Sequence, residues 1–329
     1  MKKGHLIVAL VGAAIFAWVI THIGLSAILQ QLAGVRTALP IVLLMSLCRL
    51  FLQTCAWSQA LRNQGVSAPP GTLMGVRLAS QSMGYLTVLG PVLSEPLKIR
   101  LLRAPAEPTM TATFLDDGVY WFTATLMGIA GWLCLPLVAV HGVKVGPAAL
   151  AIVLLTAIVL FMLRQKPALF ALVQRLGNRA PHWLVRAAIL EKSLRNYRLE
   201  RPTVVNRMFW TDVTCQLLVA AEVAAVLWSL HLPVHFFAVL AIDGITRGFK
   251  LVTGWVPARL GSDEGGAISA FAVTGFAPAL GLALALTRRV RDLLWALIGL
   301  GWLVWKSRRE PARESTLEHT PGTLLRESA

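Results

Sequence analysis

Two polar stretches interrupt otherwise apolar sequence, and they contain the residues best suited to chemistry. Glu95 lies between Ser94 and Pro96 in GPVLSEP, and Glu264 follows a serine and an aspartate in GWVPARLGSDEGG. Serine followed by acidic residues or by proline is typical of the first turn of a helix, so each glutamate is predicted to lie at a helix start. The positive end of such a helix can receive a phosphate. Equally, each glutamate can act only as a helix-start residue.

Basic residues accompany these glutamates. Lys98, Arg100 and Arg259 lie close enough in sequence to help bind a phosphate. Other charges lie inside apolar runs, where each costs at least a few kcal/mol and is commonly functional. Asp243, Arg247 and Lys250 are spaced by four and three residues, which places them on one helical face. The predicted substrate-binding residues are Glu95, Arg100, Arg259, Glu264, Arg49, Arg77, Arg247 and Lys250.

Further carboxylates are interpreted as structural. Asp116, Asp117 and Asp212 lie near predicted span starts, where they can hold a bundle together or face the membrane interface. Adjacent residues such as Asp116 and Asp117 point about 100° apart on a helix, which suits them poorly to act as a catalytic pair. The sequence contains no HExxH, P-loop or DxD motif and no CxxC pair. It therefore predicts no enzyme, catalytic residue, metal site or cofactor.

The elements that position these residues are membrane helices. Hydrophobic residues make up 56% of the chain and charged residues only 14%, which excludes an ordinary soluble domain. Two regions, Leu73–Leu102 and Phe236–Leu286, are apolar but broken midway and are predicted to form re-entrant hairpins that line a cavity. A proline-kinked span or a plain loop is the alternative for each. Continuous spans are predicted at Leu6–Gly24, Leu39–Leu61, Thr111–Val140, Pro147–Leu163, Met208–Leu230 and Val290–Trp305.

The net charge of +15 follows the positive-inside rule, and we expect no nucleic-acid binding. The basic connector 164–207 is predicted to lie on the anionic cytoplasmic leaflet of an inner membrane, with the C-terminus also cytoplasmic. The two hairpins then have opposite topology. Arg288, Arg289 and Arg291 do not fit this scheme, because they would lie near the external interface. The prediction is an all-α polytopic bundle over residues 1–306, followed by a disordered tail over 307–329.

At the two breaks the sequence resembles the transmembrane region of the lysylphosphatidylglycerol synthases, a family also called flippase-like. The first family motif matches Pro91, Ser94, Glu95 and Arg100, with serine in place of the usual glycine. The second matches Pro257, Gly261 and Glu264, followed by an arginine that corresponds to Arg288 or Arg289. This second motif is poorer in glycine than is usual in the family.

The resemblance implies a lipid translocator that shelters a phospholipid or isoprenoid-type headgroup in a polar intramembrane cavity. The large soluble aminoacyl-transfer domain of the synthases is not expected after residue 306, so lipid aminoacylation by this chain alone is not predicted. Two alternatives stay open. The protein could be an intramembrane transferase that uses a lipid-linked donor, or a noncatalytic partner of a separately encoded transferase.

Overall fold

The computed structural model describes residues 35–86, 90–138, 200–252 and 261–309. Within these ranges the fold is all-helical. The helices are α1 (Ala38–Asn63), α2 (Pro70–Leu86), α3 (Gly90–Leu102), α4 (Ala106–Val138), α5 (Pro202–Ser229), α6 (Phe236–Val252), α7 (Ser262–Val273) and α8 (Pro278–Arg309).

The helices α5–α8 repeat the pattern of α1–α4. The lengths run 26, 17, 13 and 33 residues in the first half and 28, 17, 12 and 32 residues in the second. The loops after α1 and α5 are also equal, covering residues 64–69 and 230–235. The second residue of each loop is in the left-handed region, Gly65 at φ +75° and His231 at φ +56°. The described chain is therefore built from two similar four-helix halves.

The two halves run in opposite directions. The Asn63 side chain at the end of α1 accepts a hydrogen bond from Arg201 at the start of α5. Nearer the middle of both helices, the Cys215 thiol lies 3.8 Å from the Arg49 carbonyl. The helices α1 and α5 are thus antiparallel although they hold matching places. This is the relation expected of an inverted repeat, whereas re-entry of the broken pairs into the membrane stays a prediction.

The halves also exchange packing partners. Helix α2 packs against α8 of the other half, and α6 packs against α4. At the second crossing Gly131 meets Gly244 so closely that a Cβ on either would collide with backbone atoms. At the first, Gly299 lies equally close to the Leu78 carbonyl. Small residues at helix crossings are the usual means of close packing in membranes, where the hydrophobic effect does not drive helices together.

Most predicted spans in the described ranges are confirmed as helices. Helices α1, α4 and α5 are long and apolar enough to cross a membrane. The prediction for the final span is wrong at its start, because α8 begins at Pro278 rather than Val290. The spans predicted at Leu6–Gly24 and Pro147–Leu163, with most of the connector 164–207, lie outside the described residues. Residues 307–309 belong to α8, and the remainder of the predicted tail is also outside.

The two broken regions differ in where their second helix starts. In the second region α7 begins at Ser262, with Asp263 and Glu264 in its first turn, as predicted. In the first region α3 begins at Gly90, so Pro96 lies inside the helix and Glu95 lies in its second turn. The helix start predicted at Pro96 is therefore wrong. Pro96 is the seventh of the thirteen residues of α3, so it removes one hydrogen bond from the interior of the helix and favours a kink there.

Candidate functional site

The first half contains a buried cluster with more carboxylates than basic groups, which we call the acidic cluster. Arg77 of α2 donates to Asp116 of α4 at 2.5 Å, and both side chains are at most 5% exposed. Lys98 of α3 bridges Glu95 and Asp117, with Nζ to carboxylate distances of 3.0 and 3.1 Å. Buried ions need such partners because they have lost their hydration. The Arg77–Asp116 pair holds α2 against α4, and the Lys98–Asp117 pair holds α3 against α4.

Asp212 of α5 completes the acidic cluster. Arg77 donates to the Gln53 carbonyl of α1, and the antiparallel pairing of α1 with α5 places Asp212 at about that level. Asp212 interacts electrostatically with Arg77 and Asp116 and is 1% exposed. The indole of Trp57 lies 5.8 Å from Arg77 and 5.9 Å from Lys98. Two basic groups thus face four carboxylates, Glu95, Asp116, Asp117 and Asp212.

The second half contains a balanced cluster, which we call the arginine cluster. Arg247 donates to Asp243 at 2.6 Å, and Arg288 donates to the other oxygen of Asp243 at 3.3 Å. Arg288 also lies 3.8 Å from Glu222 of α5, which in turn accepts from Arg291. The remaining pairs are Arg291 with Asp292 and Arg289 with Glu264. Four arginines therefore face four carboxylates, Glu222, Asp243, Glu264 and Asp292.

The central ion pairs of the two clusters occupy matching positions with opposite charge. Arg77 is the eighth residue of α2, and Asp243 is the eighth residue of α6. Their partners, Asp116 and Arg288, are each the eleventh residue of a long helix, α4 or α8. The cation is thus on the short helix in the first half and on the long helix in the second. The repeat therefore preserves the ion pair but exchanges the helices that carry its positive and negative members.

Each cluster has two partly exposed carboxylates whose basic partners are buried: Glu95 and Asp117 beside Lys98, and Glu264 and Asp292 beside Arg289 and Arg291. The side chain of Glu95 is 21% exposed and that of its partner Lys98 only 5%. The side chain of Glu264 is 19% exposed and that of its partner Arg289 only 3%. A ligand that reaches either cluster from outside would therefore meet the carboxylate beside the cation. An anionic ligand could take the place of that carboxylate on the buried basic group.

The structure brings together some predicted site residues and separates others. Glu95, Arg77, Glu264 and Arg247 belong to the two clusters, and Arg247 forms the predicted ion pair with Asp243. Arg100 is exposed on α3, whereas Lys98 contacts Glu95. Two more predicted residues lie near a cluster: the backbone of Arg49 contacts Cys215, and Lys250 lines a small cavity with Asp263 and Arg288. Arg259 lies outside the described residues.

Several residues of the clusters were not predicted as site residues. The most important are Lys98 and the three arginines of α8, Arg288, Arg289 and Arg291, which are 3–4% exposed. Their carboxylate partners lie on other helices, and Asp116 and Asp212 are buried within helices rather than near their ends. The early start of α8 places these arginines well inside the helix. The sequence signal that could have identified them is the unusually high number of charged residues within apolar sequence.

A comparison with protein families matches residues 5–301 to the family described as the lysylphosphatidylglycerol synthase TM region. Comparisons with curated proteins and with solved structures gave no match. The family match covers every described helix except the end of α8. With three helices able to span a membrane and two broken pairs at the predicted places, the chain is a multi-pass membrane protein that belongs to the lysylphosphatidylglycerol synthase TM-region family.

Proposed function

We propose that the protein moves a phosphate-bearing lipid headgroup, of a phospholipid or an isoprenoid-linked intermediate, between the two leaflets. The observation that carries this proposal is the pairing of an accessible glutamate with a buried cation in each inverted half. A polar headgroup needs such groups in hydrocarbon, because an unpaired charge there is costly. The acyl chains stay in the bilayer while the headgroup passes the two clusters.

The headgroup is bound by exchange. In the structure Glu95 and Asp117 pair with Lys98, and Glu264 pairs with Arg289. An arriving phosphate takes the carboxylate's place on the cation, since a phosphate forms equally strong charge-assisted hydrogen bonds. When the phosphate leaves, the glutamate returns and the cation is not left unpaired. The glutamate therefore promotes release, and the cation promotes binding.

The test is lipid movement in proteoliposomes, measured by leaflet accessibility of labelled lipids, together with headgroup binding. Lys98→Gln and Arg289→Gln should weaken binding and slow movement. Glu95→Gln and Glu264→Gln should tighten binding yet also slow movement. Loss of a charge-assisted bond worth about 1.5–3 kcal/mol corresponds to a roughly ten- to hundredfold change. Glu107→Gln, at an exposed position in the first turn of α4, is the matched control and should change neither quantity.

Normal lipid movement in the Glu95→Gln/Glu264→Gln double variant would contradict the exchange mechanism. No lipid movement by the wild-type protein, with several labelled phospholipids and an isoprenoid phosphate, would contradict translocation itself. In that case the two alternatives from the sequence, a lipid-dependent transferase or a partner subunit of one, would take precedence.

The proposal includes a location and an orientation. We place the protein in an inner, cytoplasmic-type membrane, with the connector 164–207 on the anionic leaflet and the C-terminus in the cytoplasm. The support is the excess of basic residues in the connector, together with Lys306, Arg308 and Arg309 directly after the last apolar run. A cysteine introduced at Ser193 should react with an impermeant reagent only after the membrane is opened. Labelling from outside intact cells would reverse the orientation.

A further inference from the structure

The acidic cluster contains two buried carboxylate oxygens without a hydrogen-bond partner among the described residues. They are Oδ1 of Asp116 and Oδ2 of Asp212. Both side chains come from long helices, α4 and α5, and both residues are 1% exposed. A buried acceptor left without a donor is costly, and a buried anion without a cation is more so. These two oxygens therefore call for a positive occupant that the described residues do not supply.

The charges around Asp212 show how few basic groups are available to neutralise its carboxylate. Arg77 is its basic neighbour, and the two NH2 groups of Arg77 already donate to Asp116 and to the Gln53 carbonyl, while its Nε has no partner among the described residues. The other basic group of the cluster, Lys98, is held by Glu95 and Asp117. The charged and titratable groups that interact with these two aspartates or with their neighbours are Arg49 of α1, Arg77 of α2, Glu95 and Lys98 of α3, Asp117 of α4 and Cys215 of α5.

We propose that Asp116 and Asp212 share one exchangeable proton beside Arg77, and that this site couples lipid movement to a proton gradient. A single guanidinium can neutralise one carboxylate, so the second is stable in a dry interior only as the acid. Uptake places a proton on a carboxylate oxygen, and release returns it to water; no electron moves. A metal ion fits less well, because the described residues contain no group of three or more suitable ligands. The arginine cluster also has unpartnered carboxylate oxygens, Oε1 of Glu222 and Oε2 of Glu264, but its four described arginines balance its four carboxylates, so no proton is required there.

The coupling part of this inference rests on the proposed translocation, whereas the proton site does not. The direct measurement is the infrared difference spectrum of the lipid-reconstituted protein between low and high pH. A carboxylic acid has a C=O stretch that a carboxylate lacks. We expect an acid band that is lost in Asp212→Asn and also in Asp116→Asn, since one remaining carboxylate is fully neutralised by Arg77. Asp292→Asn should retain the band, because Asp292 already has Arg291 as partner.

Thermal unfolding gives a second readout that does not depend on spectral assignment. The wild-type Tm should fall by roughly 2–4 °C for each kcal/mol lost as the pH rises and the shared proton leaves. Asp212→Asn, which resembles the protonated acid in shape and charge, should abolish this fall. An unchanged acid band in both Asn variants, or a wild-type Tm independent of pH, would overturn the proton site. A Tm that rises with Na⁺ at fixed pH and ionic strength would replace the proton by an alkali ion.

The coupling is tested in proteoliposomes with an imposed pH gradient. The gradient should accelerate lipid movement by the wild-type protein, and Asp212→Asn should lose that acceleration. Equal acceleration in the variant would overturn the coupling. The infrared evidence for the proton site would be unaffected. Absence of any lipid movement, with the acid band still present, would instead contradict the proposed function and not the proton site.

Discussion

The two halves of the molecule share a scaffold but differ in electrostatics. Their helix lengths, their loops after α1 and α5 and their exchanged crossings correspond closely. Their buried charges do not, because among the described residues the acidic cluster has two basic groups for four carboxylates and the arginine cluster has four for four. The central ion pair is even reversed between them. Such a difference indicates that apolar packing and close crossings define the fold, which leaves the buried charges free to diverge.

The largest expected effect is a difference in stability between variants of the two central arginines, Arg77 and Arg288. Arg77→Met leaves Asp116 without a hydrogen-bonded cation, whereas Arg288→Met leaves Asp243 with Arg247 and Glu222 with Arg291. Breaking a buried pair costs about 3–5 kcal/mol, so we expect the full loss only for Arg77→Met. Thermal unfolding in detergent would measure it. Adding Asp116→Asn should recover much of the loss, and equal losses at Arg77 and Arg288 would remove the contrast between the clusters.

The next effect should be similar in the two halves, because it concerns the shared scaffold. Gly131→Val in α4 and Gly299→Val in α8 would each force a side chain against backbone of the facing short helix. Overpacking of this kind costs about 1–3 kcal/mol, measured as a lower Tm. The controls are Gly118→Val and Gly301→Val in the same two helices, where a Cβ meets open space. A loss at only one of the two crossings would show that the halves do not share this packing.

A smaller loss of stability is expected where a basic residue of the arginine cluster has two carboxylate partners. Asp292→Asn removes one partner of Arg291, but Glu222 still accepts from the same guanidinium. The side chain of Asp292 is also 17% exposed, and partly solvated pairs contribute about 1 kcal/mol or less. Chemical denaturation should therefore give nearly the wild-type midpoint. Glu222→Gln, which disturbs both Arg288 and Arg291, should be clearly more harmful.

The smallest effect should be at Arg100, although the sequence favoured it as a site residue. Arg100 is exposed, and exposed substitutions usually change stability by less than about 0.5 kcal/mol. Arg100→Gln should leave both the unfolding midpoint and the rate of lipid movement close to wild type. Lys98→Gln in the same helix should slow lipid movement. If Arg100→Gln slowed it instead, the basic group of the first half would have been assigned to the wrong residue.

Hydropathy was sufficient to predict α1, α4 and α5, and glycine, proline and acidic residues located both broken pairs. It failed for the charged part of α8, because a window average treats Arg288, Arg289 and Arg291 as the edge of a span. Their neutralising carboxylates lie far away in sequence, 69 residues for the Arg291–Glu222 pair and 45 for Arg288–Asp243. Local sequence carries no information on such distant partners. Local sequence also could not show that Lys98 rather than Arg100 contacts Glu95, because this depends on which face of α3 packs against the other helices.

The exchanged packing determines which parts of the molecule can move as rigid bodies. If each half rotated intact against the other, the crossings of α2 with α8 and of α4 with α6 would have to separate. Those crossings include close approaches of backbone to backbone, at Gly131 with Gly244 and at Gly299 with Leu78. A motion that preserves them must instead carry each short helix together with the long helix of the opposite half. The mechanical units of this protein therefore differ from the units of its repeat.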